Sequence, residues 1–122
     1  MNKILVVEDD FATAELIKFT LQTKGLTVDI AGDGGEAVKK VRTNTPDLII
    51  LDIMLPTMDG FQVCEIIKHN IIYERIPIIM LSAKIRREDI NTGLEKGAEE
   101  YLTKPFDPNR LLERVMFYLS KK

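Results

Sequence analysis

The chain has 122 residues, 45% of them hydrophobic, which suits one compact core and leaves too little for a second domain. Seventeen Lys and Arg against nineteen Asp and Glu give a net charge of −2, with no electrostatic footprint for nucleic acid or an anionic membrane. The single cysteine, Cys64, excludes an intrachain disulfide and a cysteine-based metal motif, and no apolar run nears the ~18 residues of a membrane span.

The first predicted strand, Lys3 to Val7, runs directly into Glu8, Asp9 and Asp10. A buried strand ending in three carboxylates costs several kcal/mol unless something pairs with them. Asp10 is assigned to the helix that follows, where the macrodipole favours an acid. That helix carries its apolar stripe on Ala14, Ile17 and Leu21, and Gly25 stands where a left-handed C-cap is wanted. A second strand, Thr27 to Ala31, alternates apolar and polar residues. Asp33 with Glu36 reads as a capping box opening a helix on Gly34, Ala37, Val38 and Val41.

The third strand, Leu48 to Leu51, meets Asp52. Met58 to Gly60, "MDG", reads as a turn into a helix bearing Val63, Cys64 and Ile67, with no chemistry assigned to Asp59 and with Cys64 as a small core residue. The lone His69, in a polar patch with Lys68 and Asn70, reads as a surface residue and not as a phosphohistidine. A fourth strand, Ile76 to Leu81, is followed by Ser82, and Gly97 again suits a helix C-cap. The fifth strand, Tyr101 to Thr103, is followed by Lys104, and Asp107 with Pro108 starts a last helix on Leu111, Leu112, Val115, Met116 and Leu119.

Alternating strands and helices predict an α/β fold: a five-stranded parallel sheet, doubly wound, with helices on both faces. The first, third and fourth strands are apolar without interruption, as centre strands are, while "TVDIA" alternates and "EEYLT" is short and flanked by acids. With right-handed crossovers this gives the order 2-1-3-4-5, and the ligand crevice falls where the chain reverses, at the carboxyl ends of strands one and three.

Glu8, Asp9 and Asp52 therefore converge, with Ser82 and Lys104 on the same rim. Two unit negative charges about 4 Å apart repel by about 4 kcal/mol at an effective dielectric of 20. The cluster calls for a cation, and hard oxygen donors without His or Cys select Mg²⁺ or Mn²⁺ over zinc. A metal, a lysine and a hydroxyl around an aspartate suit phosphoryl transfer onto Asp52, since such catalysis is mostly positioning and charge neutralisation.

The segments "ILVVEDD", "PDLIILDIMLPTMDG", "PIIMLSA" and "GAEEYLTKPF" resemble, in order and spacing, the signature segments of the receiver domains of two-component response regulators. The resemblance covers the whole chain, 1–122, and implies a flavodoxin-like (βα)5 domain, free-standing or cut from a longer regulator. It implies that Asp52 accepts a phosphoryl group from a sensor histidine kinase in the cytoplasm. Asp9 would bind Mg²⁺ directly and Glu8 through water, and Asp52 and the backbone carbonyl of Met54 would complete the protein's metal ligands. Lys104 would pair with a phosphoryl oxygen, Ser82 would bond another, and Tyr101 would swing inward as the switch. The Lys104–Pro105 peptide would be cis, and access near Met54 and Lys84 would govern the lifetime of the phosphoryl group. The closest likeness is to receivers of winged-helix transcription regulators, whose face of helix four, strand five and helix five forms a symmetric homodimer through charged pairs. Glu100 and Arg114 look like one such pair. Ile90 and Arg110 stand where opposite charges are usual, so one bridge is missing, and an exposed Ile90 would suit a different partner.

Other functions fare worse on the residues. A haloacid dehalogenase-type hydrolase needs a second Asp two residues after the first, where this chain has Met54. A flavin mononucleotide binder needs a hydroxyl-rich loop after strand one, and three carboxylates there would repel its phosphate. The remaining alternative is a pseudo-receiver, a phosphate-independent interaction module.

Overall fold

The structure, a computed structural model, describes residues 2–83 and 87–121; Lys84 lies outside the described residues. Ten elements alternate strictly: β1 Lys3–Val7, α1 Phe11–Gln22, β2 Thr27–Ala31, α2 Gly34–Thr43, β3 Leu48–Asp52, α3 Gly60–Lys68, β4 Ile78–Ser82, α4 Arg87–Glu95, β5 Glu100–Thr103 and α5 Pro108–Leu119. All strand pairs are parallel and the order is β2-β1-β3-β4-β5. Every residue of β3 and β4 is buried, whereas β2 and β5 are largely half-buried, as edge strands should be.

Strand period two sorts the core into two layers. Leu5, Val7, Ile49, Leu51, Ile78 and Met80 face α2 and α3, where they meet Ala37, Val41, Val63, Cys64 and Ile67. Ile4, Val6, Leu48, Ile50, Ile79 and Leu81 face α1 and α5, against Ile17, Leu21, Leu111, Val115 and Leu119.

Several boundaries differ from the sequence expectation. β3 extends through Asp52, and β4 begins at Ile78 because Pro77 has no N–H to give a ladder and joins only through its carbonyl, which accepts from Ile49 N at 2.9 Å. The Asp33–Glu36 box is half formed. Asp33 accepts from Glu36 N at 2.8 Å, but the Glu36 carboxylate reaches past Asp33 to Gly32 N at 2.6 Å. The reciprocal capping box sits instead on α3, between Asp59 and Gln62, at 2.9 and 3.0 Å. Gly25 and Gly97 both adopt the left-handed conformation, with φ of 76° and 104°.

His69 is exposed, as expected of a surface residue, but its neighbour Lys68 in the same polar patch is drawn into the fold. The Lys68 side chain is 8% exposed, and its ammonium donates to the carbonyls of Glu74 and Ile76 at 3.0 and 2.7 Å and to Glu99 Oε2 at 3.0 Å. Glu99 Oε1 in turn accepts from Ile78 N at 2.7 Å. This one lysine ties α3 to the entrances of β4 and β5. Nearby, Lys96 pairs with Glu65 at 2.5 Å, and its carbonyl lies 3.5 Å from the Cys64 sulfur. Burial pushes the Cys64 thiol up to about 11.

Candidate phosphoryl-transfer and metal site

The register brings the strand ends level. Val7 pairs with Leu51, Asp52 with Leu81, and Ser82 with Thr103, so Glu8, Asp52, Ser82 and Lys104 each stand at or one residue past the last rung. Lys104 N also donates to the Ser82 carbonyl at 2.9 Å, which holds the start of the β5–α5 loop against the end of β4. The Lys104–Pro105 peptide is cis.

Glu8 and Asp52 are 3% and 5% exposed, buried carboxylates that need partners, and both find Lys104. The Lys104 ammonium donates to Glu8 Oε1 and, at 3.1 Å, to Asp52 Oδ2. The second oxygens are also engaged: Glu8 Oε2 accepts from Asp10 N and Asp52 Oδ1 from Met54 N, each at 3.1 Å. Asp9 is exposed, yet one oxygen from each of Glu8, Asp9 and Asp52 falls within 4.8 Å of the others. Three carboxylates against one ammonium leave excess negative charge, and an all-oxygen donor set of this kind fits a hard divalent cation.

The electrostatics follow from this crowding. Burial pushes the Glu8 carboxyl above its usual value, and the Asp52 charge adds to the rise against the opposing bonds from Lys104 and Asp10 N–H. Burial alone would lower Lys104, but its bond to Glu8 and the charge of Asp52 hold it above the ordinary lysine value. Asp10 is turned away from the cluster. As the N-cap of α1 it accepts from the Thr13 hydroxyl and N–H, at 2.5 and 3.0 Å, and these bonds lower its carboxyl.

Ser82 is fully buried at the end of β4 and Tyr101 half-buried on β5. Two open grooves flank the cluster. One of about 530 Å³ is lined by Asp9, Met54, Pro56 and Asp59, and one of about 350 Å³ by Thr13, Leu16, Lys104 and Phe106.

The residues expected at a dimer face behave differently. Arg114 forks onto Glu100 of its own chain at 2.8 and 2.9 Å, and Tyr118 donates to the same carboxylate at 2.7 Å. The guanidinium also lies 4.4 Å from the Phe117 ring centroid. The pair read as a bridge between two copies is thus satisfied within one, because β5 and α5 lie side by side. Arg110 is exposed and meets Glu113 at 3.3 Å one turn on, and Ile90 is half-buried rather than exposed.

Sequence reasoning missed Gly60. A Cβ on this residue would stand 2.3 Å from the Asp52 carbonyl oxygen and 2.8 Å from Ile53 Cα. The "MDG" turn marks the glycine, but the reason for it is a docking contact that local pattern does not carry.

A family model described as the response regulator receiver domain matches residues 4–116. Among curated proteins, the chain is 44% identical over 120 residues to the alkaline phosphatase synthesis transcriptional regulatory protein PhoP of Bacillus subtilis, covering 98% of this chain and 49% of that one. It is 42% identical to the DNA-binding response regulator MtrA of Mycobacterium tuberculosis, covering 98% and 51%. The chain spans about half the length of these curated relatives. Among solved structures, the Francisella response regulator 1452 receiver domain superposes with a TM-score of 0.92 at 35% identity, covering 99% of this chain and 98% of that one. The chemotaxis protein CheY4 of Vibrio cholerae gives 0.91 at 34%, covering 97% and 98%. Motif, topology and the match along nearly the whole chain agree: this chain belongs to the receiver domains of two-component response regulators.

Proposed function

We propose that Asp52 accepts a phosphoryl group from the phosphohistidine of a sensor histidine kinase, and that the acceptance resets the surface of α4, β5 and α5 for a partner or effector. The observation that carries this reading is the convergence of Glu8, Asp9, Asp52 and Lys104 at the carboxyl ends of β1, β3 and β5. A carboxylate is a poor nucleophile toward a phosphoryl dianion because both are negative. Lys104 reduces that repulsion at Asp52, and Mg²⁺ or Mn²⁺, held by Glu8, Asp9, Asp52 and the Met54 carbonyl, would supply the remaining neutralisation of the equatorial oxygens.

An Asp52 oxygen bonds to phosphorus as the phosphorus–nitrogen bond breaks, and the leaving imidazole keeps the electron pair. Lys104 moves from its carboxylate partners to a phosphoryl oxygen, and Ser82 donates to another. The pull on Ser82 reaches Tyr101 through the β4–β5 ladder, where Met80 pairs with Tyr101 and Ser82 with Thr103. A homodimer through α4, β5 and α5 remains one form of output, formed only if Arg114 leaves Glu100 or other contacts on this face serve. We assign no nucleic-acid contact to this chain, whose net charge is −2, and we place it in the cytoplasm; among the described residues no helix is long and apolar enough to cross a membrane.

The test is incubation with Mg²⁺ and acetyl phosphate followed by intact mass. One phosphoryl adduct is expected on the native chain and none on Asp52→Asn. A native chain that stays unmodified would support the pseudo-receiver instead, and an adduct on Asp52→Asn would move the acceptor elsewhere.

The electrostatics add a pH prediction. Because Glu8 holds its proton above the ordinary value of 4.5, Mg²⁺ affinity should fall as pH drops through a midpoint above 4.5. In metal-free protein the sign for stability is the reverse. The raised folded-state value means that the Glu8 contribution is fully present below 4.5 and is lost as pH rises through the folded midpoint. Mg²⁺ titrations across pH, on the native chain and on Glu8→Gln, should show the upper part of the dependence only in the former.

A further inference from the structure

We infer that Gly60 is a positioning residue for the Asp52 carboxylate, acting through the Ile53–Met54 peptide group; this rests on the reading of Asp52 as phosphoryl acceptor. The two ends of that one peptide group face opposite tasks. Its N–H, on Met54, donates to Asp52 Oδ1 at 3.1 Å. Its carbonyl, on Ile53, accepts from Gly60 N at 2.9 Å and from Leu55 N at 3.0 Å. The plane is thereby pinned on its far side by the first residue of α3 and aims its N–H at the proposed nucleophile. With Oδ2 held by Lys104 and Oδ1 by Met54, the carboxylate has no free rotation about its own axis.

The Gly60 contact exists only because the residue has no side chain. The first turn of α3 rests on the Asp52–Ile53 backbone, and an added Cβ would meet the Asp52 carbonyl oxygen at 2.3 Å and the Asp52 carbonyl carbon at 2.9 Å. Both are backbone atoms of the innermost strand, so no flexible side chain can give way. Gly60 does not have a positive φ, so the requirement is one of space and not of backbone conformation. The Asp59–Gln62 capping box fixes the turn from which Gly60 approaches. A methyl group here must rotate or displace the peptide that orients Asp52. The same contact aligns the N–H that polarises the carboxylate, which makes it a control on reactivity as well as on placement.

The test compares Gly60→Ala with the native chain in single-turnover labelling at saturating acetyl phosphate and Mg²⁺, well below the unfolding temperature. Leu21→Ala, buried at the far end of α1, supplies a destabilised control. The labelling rate of Gly60→Ala should fall roughly ten- to a hundredfold while Leu21→Ala labels at the native rate. The Met54 amide resonance should shift in Gly60→Ala and not in the control. If Gly60→Ala does not fold, an ester in place of the Asp59–Gly60 amide removes the Gly60 N–H without adding a Cβ and should slow labelling several-fold. Native-rate labelling by either variant, or slowing no greater than that of Leu21→Ala, overturns the inference alone. A native chain that takes no phosphoryl group overturns the acceptor reading and this inference with it.

Discussion

Lys104→Met should lower the stability of the metal-free protein by about 3 kcal/mol, and Mg²⁺ should restore most of the loss. Among the described residues, this ammonium is the one cation hydrogen-bonded to both Glu8 and Asp52, whose side chains are 2% and 6% exposed, and methionine replaces its length but not its charge. Two buried carboxylates then face each other and Asp9 without the Lys104 charge, and Glu8, already above its ordinary value through burial, is the group expected to take up a proton to relieve them. A divalent cation bound among the same oxygens supplies the missing charge, so the stabilisation by Mg²⁺ should be larger in the variant than in the native chain. Urea unfolding with and without Mg²⁺ measures both quantities. Equal Mg²⁺ effects in the two proteins would show that the cation and Lys104 do not share the carboxylates. Labelling by acetyl phosphate should be strongly reduced even at saturating Mg²⁺, because the proposed partner of the phosphoryl oxygen is gone.

Lys68→Met should cost about 2–3 kcal/mol, lowering the melting temperature by roughly 10 °C, with no rescue by Mg²⁺. Here the ammonium satisfies the Glu74 and Ile76 carbonyls and Glu99 Oε2, all at the opposite end of the sheet from the carboxylate cluster. The loss is discounted for Glu99, whose side chain is one-third exposed and keeps its bond from Ile78 N. Folded Lys68→Met should label with a phosphoryl group at the native rate. Thermal unfolding and labelling of the two lysine variants side by side would separate a charge that serves the site from one that serves the fold.

The contrast between these lysines marks what the sequence made legible. Lys104 could be picked out because strand order and register place every strand's carboxyl end on one rim, so a charged residue there joins Glu8 and Asp52 without knowledge of side-chain paths. Lys68 stands in "IIKHN", a helix end followed by polar residues, and nothing in that pattern reveals that the next loop folds its carbonyls back over the ammonium. The same limit explains Gly60 and Arg114. The need for a bare Cα at Gly60 arises where α3 lands on β3, and a tertiary landing has no period. The residue types at Glu100 and Arg114 suggested an ion pair, but charge alone does not say whether the partner lies in the same chain or in another copy. Centre and edge strands, by contrast, were readable because burial on both faces demands continuous apolar runs, and "LIIL" and "IIML" have them while "TVDIA" does not.

The chain's only cysteine is fully buried, with its sulfur against the Lys96 carbonyl and its ionisation pushed up to about 11. At about pH 8 this thiol stays protonated and out of reach of alkylating reagents. A cysteine placed on exposed Asn91 of α4 can therefore be labelled with a spin or fluorescent probe at a single site in the otherwise native chain. The motion of the proposed output face can then be followed in real time as phosphodonor is added, without first building a cysteine-free background.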